Sequence, residues 1–348
     1  KLQNYTKVTK VTKSDGIWLI TTTDSIDNTQ NTIKAKCFIN ASGPWVDDVL
    51  QESFSNKNTK NVRLVRGSHI VVNKLYDHDK SFICQNDDGR IFFMIPYEDK
   101  FTLIGTTDID HSRSASEVEI SEEEKQYICD SANTYLNSEI KRSDIVWSYS
   151  GVRPLYDDGA SKAQEATRDY VIKAEEHDSS LMINIFGGKI TTYRRLSEAI
   201  LKHIETFLGQ RSGPWTDNSS LPGGDFDVDG LFDLNNKIQE KYPFLNEEIV
   251  KRLVRSYGTV SFDIFASAKN IESLGESFGS GLYEKEVVYL VQNEWARTSE
   301  DILFRRSKLG LSLTKNEKQK LDQFLEKYQK LSKTSESSVK QDNIAETV

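Results

Sequence analysis

The 348 residues predict an α/β fold with α+β elements: a partial α/β domain, an antiparallel-sheet domain and a C-terminal all-α domain. Three observations carry that expectation. Residues 32–50 and 182–208 each run from a strand, β-branched and apolar in the second case, through a turn of small residues into a helical pattern. Between them, residues 62–105 alternate like half-buried strands. Beyond residue 230, only helical periods remain.

A chain of this length buries a large core without disulfide staples. Hydrophobic residues make up 37%, charged residues 28%, and the net charge is −8, which describes a soluble globular protein with no general affinity for nucleic acid. Cys37, Cys84 and Cys129 are far apart, show no CxxC spacing and lie in apolar surroundings. Buried free thiols in a reducing, cytoplasmic compartment are expected. No apolar run approaches the ~20 residues that a membrane helix needs, so any membrane contact is expected to be peripheral.

In chain order, residues 5–11, 17–23 and 32–40 read as a three-stranded meander, separated by Ser14-Asp15-Gly16 and a polar loop. The third strand runs into Ala41-Ser42-Gly43-Pro44-Trp45 and then Val46, Val49 and Leu50. Small side chains there let the backbone approach a ligand; read structurally, the same residues are a helix start with proline in its first turn. Residues 62–72 form the next strand, with His69 beside Gly67 and Ser68. A strand histidine serves either as a proton carrier or as a buried hydrogen-bond donor.

Residues 91–96 and 101–105 have hairpin spacing, and Thr106-Thr107-Asp108 closes the second strand. Ser121-x-x-Glu124 has capping-box spacing and opens a helix with Tyr127, Ile128, Ala132, Tyr135 and Leu136 on one face. Residues 145–149 lead to Ser150-Gly151-Val152-Arg153-Pro154-Leu155, and past a polar loop stands Arg168-Asp169-Tyr170. Two arginines at the ends of one loop can converge on one oxyanion, because their forks match phosphate geometry. Alternatively, Arg168 and Asp169 form a surface ion pair and Arg153 is solvated.

The second strand–turn–helix is Ile185-Phe186-Gly187-Gly188-Lys189-Ile190-Thr191-Thr192-Tyr193, followed by Leu196, Ile200, Leu201, Ile204 and Leu208 on one face. Paired glycines leave the main chain open, a helix N-terminus favours negative charge, and Lys189 adds a cation. An anionic or electron-rich ligand fits this turn; so does a plain βα connection with a solubilising lysine. Residues 209–229, rich in Gly, Ser, Pro and Asp, read as a linker. Helical faces follow: Ile249, Leu253, Val254 and Tyr257, then Val287, Val288, Leu290, Val291 and Trp295. Capping boxes at Thr298-x-x-Asp301 and Thr314-x-x-Glu317 precede the last helices, and residues 332–348 are polar enough to predict a disordered tail.

Four stretches together resemble the FAD-dependent, respiratory glycerol-3-phosphate dehydrogenases: residues 40–46, residues 150–155 with Arg168-Asp169-Tyr170, residues 186–193, and Glu294-Trp295-Ala296-Arg297-Thr298 through Arg305-Arg306-Ser307-Lys308-Leu309-Gly310-Leu311. The resemblance covers nearly the whole chain except the tail. That family begins with a Gly-x-Gly-x-x-Gly turn that holds the FAD pyrophosphate, and no such turn occurs in these residues. The chain therefore reads as the enzyme without its N-terminal FAD-binding segment, on which cofactor binding is expected to depend.

On this resemblance, residues 1–61 are the remnant of the FAD-binding domain, 62–149 a substrate-binding antiparallel sheet with its covering helix, and 150–208 the FAD-binding and active-site return segment. Residues 209–230 are the linker, 231–331 the C-terminal helical cap domain, and 332–348 the tail. The resemblance implies oxidation of sn-glycerol 3-phosphate to dihydroxyacetone phosphate, with hydride passing from C2 to N5 of FAD. It implies that Arg153 and Arg168 clamp the substrate phosphate, and that His69 takes or relays the C2 hydroxyl proton with help from the charge of Arg153. FAD would lie against Ala41, Ser42, Gly43, Trp45, Gly187, Gly188, Lys189 and Thr191, with Lys189 by the pyrimidine edge of the ring. No metal is expected.

The implied acceptor is ubiquinone or another membrane quinone, with the enzyme resting peripherally on the inner (plasma) membrane, and a homodimer is among the assemblies allowed. Three alternatives stay open. A glycerol-3-phosphate oxidase would hand electrons to oxygen through similar residues. An amino-acid oxidase of the D-amino-acid oxidase group shares the fold, although its carboxylate substrate needs no two-arginine clamp plus Lys189. A catalytically inert interaction module would account for the missing dinucleotide turn.

Overall fold

The computed structural model describes residues 1–54, 60–157, 169–210 and 212–345. They divide into two units, Lys1–Thr216 and Asp217–Val348, at a point inside the predicted linker.

In the first unit, β1 (Thr6–Ser14), β2 (Ile17–Asp24) and β3 (Gln30–Ala35) form an antiparallel meander in that order. The single strand predicted over 32–40 is in fact two, because the chain changes sheets at Lys36 and β4 (Cys37–Asn40) pairs elsewhere. Burial explains the break. The residues of β3 are almost all exposed at a sheet edge, whereas Phe38 and Asn40 are buried and need cover on the other sheet. A 3-10 turn, Gly43–Trp45, then leads into α1 (Val46–Phe54).

The second sheet contains β5 (Val62–Asn73), β6 (Phe82–Gln85), β7 (Ile91–Tyr97), β8 (Phe101–Gly105) and β9 (Ile109–Asp110). After α2 (Glu122–Asn133), the chain adds β10 (Ile145–Tyr156). The order is β10-β5-β8-β7-β6, all antiparallel, with β9 also on β5. The alternation of β5 divides its side chains: Ile70 and Val72 pack with Ile128, Cys129 and Ala132 of α2, which leaves Gly67 and His69 on the opposite face. The predicted capping box closes both ways, Ser121 Oγ accepting the Glu124 N–H and Glu124 accepting the Ser121 N–H.

The third sheet has the order β11 (Val171–His177), β12 (Ser180–Phe186), β4, with β12 and β4 parallel. Every residue of β12 is buried, as a strand covered on both faces must be. On one face, Leu196, Ile200, Ile204 and Phe207 of α3 (Tyr193–Leu208) cover Leu181, Ile183 and Ile185. On the other, Val11, Trp18 and Phe38 close over Met182, and the Trp18 indole donates to the Leu181 carbonyl at 2.9 Å. Leu201 and Leu208, predicted on the apolar stripe of α3, are 40% and 45% exposed, because the 100° step per residue carries them off the line of 196, 200, 204 and 207. Cys84 and Cys129 are buried as expected and Cys37 only partly; burial raises the pKa of all three free thiols.

The second unit is helical: α4 (Leu231–Lys241), α5 (Glu247–Tyr257), α6 (Ser261–Phe265), α7 (Glu284–Asn293) and α8 (Lys315–Ala345). Its core draws Ile238, Leu253, Phe265, Leu290, Leu303 and Leu321 together. Helix α8 takes in residues 332–345, where the sequence predicts disorder. Trp295 leaves the stripe predicted for it: it lies beyond α7 with φ +56° and is 48% exposed. Glu286 is fully buried, and it accepts from both terminal nitrogens of Arg252 (2.6 and 2.8 Å) and from the Tyr257 hydroxyl (2.8 Å). Burial and the neighbouring carboxylate together push the pKa of Tyr257 far above its usual value. Arg252→Met is expected to leave Glu286 buried without its cation and to cost about 3–5 kcal/mol, read as a lower midpoint in urea unfolding followed by circular dichroism.

Candidate functional site

The carboxyl ends of β4 and β12 lie side by side, with Asn184 opposite Asn40, and each strand runs on into a glycine turn. In open α/β sheets, ligands bind beyond the carboxyl ends of parallel strands. Asn40 Nδ2 donates to the Val46 carbonyl at 3.1 Å and to Asn184 Oδ1 at 3.2 Å, while Asn40 Oδ1 accepts from the Ser42 hydroxyl. This buried amide fixes the turn that carries Ala41, Ser42, Gly43 and Trp45, of which Ala41 and Trp45 are exposed. Gly187 (φ +69°) and Gly188 (φ +98°) occupy the left-handed region, which a β-carbon disfavours. They also pack closely: a β-carbon on Gly187 would lie 3.1 Å from the Asp169 carbonyl oxygen and 3.4 Å from that of Pro154, and one on Gly188 would lie 3.0 Å from Tyr170 Cβ. The turn therefore sits against the neighbours of Arg153 and of the 169–170 segment. Lys189 and Thr191 are exposed, and the Lys189 side chain has no partner among the described residues.

The second half of the site is the face of the antiparallel sheet. His69 on β5 lies opposite Tyr149 on β10 and Gly105 on β8. Its ring stacks on Tyr149 with centroids 4.9 Å apart and planes 10° apart. Glycine at 105 leaves room for it, since a β-carbon there would come within 2.5 Å of the imidazole. Arg153, on the same face of β10, lies across Gly67 in the same way: a β-carbon on Gly67 would lie 2.3 Å from its Nη1. The guanidinium is held by Asp108 (2.9 Å), the Thr106 hydroxyl (3.0 Å) and the Thr107 carbonyl (3.4 Å). Burial, and then the positive charge of Arg153, push the pKa of His69 down to about 4. The imidazole is thus neutral at pH 7 and able to accept a proton, while its Nδ1 is buried without a partner among the described residues.

The structure thus brings His69 and Arg153 onto one sheet face, and the 41–45 and 187–189 turns onto one sheet edge. Arg153 is partly exposed but paired, its guanidinium lying 2.9 Å from Asp108. Arg168 lies outside the described residues. Sequence reasoning passed over Asp108 and Thr106, which hold Arg153, and Tyr149, which stacks on His69. Glycines inside strand patterns, Gly67 and Gly105, were the available signal for a close approach to the sheet. Among the described residues, no cluster of metal-ligating side chains occurs and no helix is long and apolar enough to cross a membrane.

A family profile described as FAD dependent oxidoreductase matches residues 1–194, and one described as the C-terminal domain of alpha-glycerophosphate oxidase matches residues 214–338. A D-erythritol 1-phosphate dehydrogenase of Brucella abortus is 39% identical over 313 residues, 90% of this chain and 62% of its own length. The aerobic glycerol-3-phosphate dehydrogenase of Escherichia coli is 37% identical over 325 residues, 93% of this chain and 64% of its own length. The chain thus spans a little under two thirds of the curated relatives it matches. Among solved structures, a glycerol-3-phosphate dehydrogenase of Bacillus halodurans complexed with FAD shares the fold, with a TM-score of 0.72 at 24% identity over 93% of this chain and 68% of that one.

Three outcomes are expected from the geometry. Gly105→Ala drives the imidazole off Tyr149, which removes the ring-current shift of the His69 protons in NMR spectra. Because His69 titrates near 6.5 when unfolded and near 4 when folded, the unfolded chain binds more protons between those values. Its contribution to stability is complete above about pH 6.5 and is lost as pH falls toward 4. Substituting Arg153 by Met removes the nearby positive charge, so the His69 pKa rises in an NMR titration.

Proposed function

The chain belongs to the FAD-dependent oxidoreductase family, and from that membership we propose that it carries the substrate site of an enzyme oxidising sn-glycerol 3-phosphate at its C2 hydroxyl to dihydroxyacetone phosphate. The observation that carries this reading is the meeting of a neutral histidine and a fixed arginine on one glycine-lined sheet face.

The cofactor fits the two turns. Left-handed glycines at 43, 187 and 188 leave bare backbone, and Lys189 offers a cation without a described partner. Ala41, Ser42, Gly43 and Trp45 on one side and Gly187, Gly188, Lys189 and Thr191 on the other would hold FAD. These residues would lie toward the ring side of the cofactor; the Gly-x-Gly-x-x-Gly turn that holds a pyrophosphate is not among these 348 residues. When bound, the flavin supplies an acceptor for the hydride leaving C2.

The chain's own residues orient the substrate and move a proton. Arg153, joined by Arg168, binds the phosphate and fixes C2 in place, and fixed geometry lowers the barrier by removing orientational freedom. His69, neutral at pH 7, accepts the C2 hydroxyl proton. Stacking on Tyr149 keeps the ring in plane for that transfer. The electron acceptor would be a membrane quinone, with the protein resting peripherally on the inner (plasma) membrane. The Brucella abortus relative supports a second reading, in which a four-carbon polyol phosphate such as D-erythritol 1-phosphate is the substrate.

The test uses the protein that carries this chain, loaded with FAD, and follows the visible spectrum. Bleaching of bound-flavin bands by sn-glycerol 3-phosphate is expected; bands that persist would overturn the reading, and faster bleaching by D-erythritol 1-phosphate would replace it with the second. Hydrogen peroxide in the place of quinol would move the protein to the oxidases. Arg168→Ala is expected to raise KM by about 10-fold or more, because a hydrogen bond between charged groups contributes roughly 1.5–3 kcal/mol. An unchanged KM would take Arg168 out of the clamp. Lys189→Ala removes a positive charge beside the ring and lowers the flavin potential, read by spectroelectrochemical titration.

A further inference from the structure

Behind the face that carries His69 and Arg153, a polar layer occupies a position where the alternation of β5 calls for core. Ser68 points with Ile70 and Val72 toward α2 and there meets Glu124, which is 2% exposed. One Glu124 oxygen accepts the hydroxyls of Ser68 and Thr107, both at 2.8 Å. The other accepts the Ser121 N–H at 3.0 Å and the Arg66 guanidinium at 2.7 Å. The Thr107 hydroxyl in turn accepts the Ser68 N–H at 3.0 Å, and Ser68 Oγ lies 2.8 Å from Ser150 Oγ. A buried carboxylate with one cation and three further donors is fully compensated, and such a network admits few other arrangements.

Capping α2 requires only the bond to Ser121. The oxygen that reaches Ser68 and Thr107 does something else, and both of those residues adjoin the site. Ser68 precedes His69, and Thr107 stands between Thr106 and Asp108, the two side chains that hold the Arg153 guanidinium at 3.0 and 2.9 Å. Ser150, at the edge of the network, lies three residues before Arg153 on β10. We propose that Glu124 is a positioning residue: through Thr107 and Ser68 it fixes the 106–108 turn from behind the sheet and so sets the direction in which Arg153 presents its charge beside His69. The consequence for catalysis rests on the reading of Arg153 as a substrate ligand; the consequence for the turn does not.

Thr107→Val keeps the shape of the side chain and deletes its donor, Glu124→Gln removes the charge, and Thr107→Ser restores the hydroxyl. All three are made in the FAD-loaded protein that carries this chain. Two readouts are taken: hydrogen exchange of peptides covering residues 105–110, and KM against kcat per bound flavin with sn-glycerol 3-phosphate. Thr107→Val and Glu124→Gln are expected to speed exchange at 106–108 and to raise KM about tenfold, the effect of roughly one charged hydrogen bond, with kcat much less changed. Thr107→Ser is expected to behave as the unsubstituted protein. A merely structural role would lower the folded, flavin-bound fraction and leave KM where it was.

Unchanged exchange in folded Thr107→Val overturns the proposal whatever the substrate, and faster exchange with unchanged KM overturns its functional half. If the unsubstituted protein does not oxidise sn-glycerol 3-phosphate, the reading of the substrate falls, and hydrogen exchange alone then decides whether Glu124 positions the turn. Should Glu124→Gln fail to fold, Thr107→Val and Ser68→Ala carry both readouts.

Discussion

The parallel pairing of β4 with β12 is the contact on which the rest of the first unit depends. It joins segments 144 residues apart, from Leu181 opposite Cys37 to Asn184 opposite Asn40. Parallel pairing at such a separation carries a large loop-closure cost, and local propensity contributes little to it. What offsets that cost is burial on both faces of β12, by α3 from one side and by Trp18, Phe38 and their neighbours from the other. The Asn40–Asn184 bond adds a polar check on register, since sliding either strand by one residue would break it and deprive the buried Asn184 amide of that donor. Only because these strands end together do the 41–45 and 187–189 turns share an edge.

The antiparallel sheet makes its contribution by removing side chains as much as by supplying them. Gly67 and Gly105 open the floor on which Arg153 and His69 lie, and the chemistry of those two groups follows from their closeness. A guanidinium paired with Asp108 is already oriented, so little side-chain freedom remains to be lost when an anion arrives. The same guanidinium, together with burial, keeps the imidazole neutral. The guanidinium thus contributes both to position and, after burial, to protonation state, and the buried carboxylate of Glu124 stands behind the turn that holds it.

In the helical unit, residues 294–311, which carry part of the family resemblance, have an architectural explanation. Arg306 donates two N–H groups to the Glu294 carbonyl, at 2.7 and 3.2 Å, and Ser307 donates its hydroxyl to the Ile302 carbonyl. Asp301 accepts the N–H groups of Arg297 and Thr298, closing the predicted cap. A β-carbon on Gly310 would lie 2.4 Å from the Phe304 ring. These residue types satisfy the orphan carbonyls and amides of a π-helical turn, Asp301–Arg306, and of the segments around it.

By itself, the sequence determined what is local. Capping boxes at Ser121, Thr298 and Thr314, the hairpin between Ile91 and Gly105, the apolar stripe of α3 and the glycine turns at 43 and 187–188 all arise from neighbours a few residues apart, where steric and hydrogen-bonding rules act without the rest of the chain. The tertiary structure alone decided what depends on distant pairing. The change of sheet at Lys36 is invisible in a stretch with no turn residue to mark it, because only the positions of two separate sheets distinguish β3 from β4. Likewise, His69 on Tyr149, Asp108 on Arg153 and Glu124 beneath Thr107 are products of register between strands and helices that are not neighbours in sequence. Residue identity announced a histidine and an arginine; their distance, their partners and the neutrality of the imidazole come from the burial and fields that folding creates.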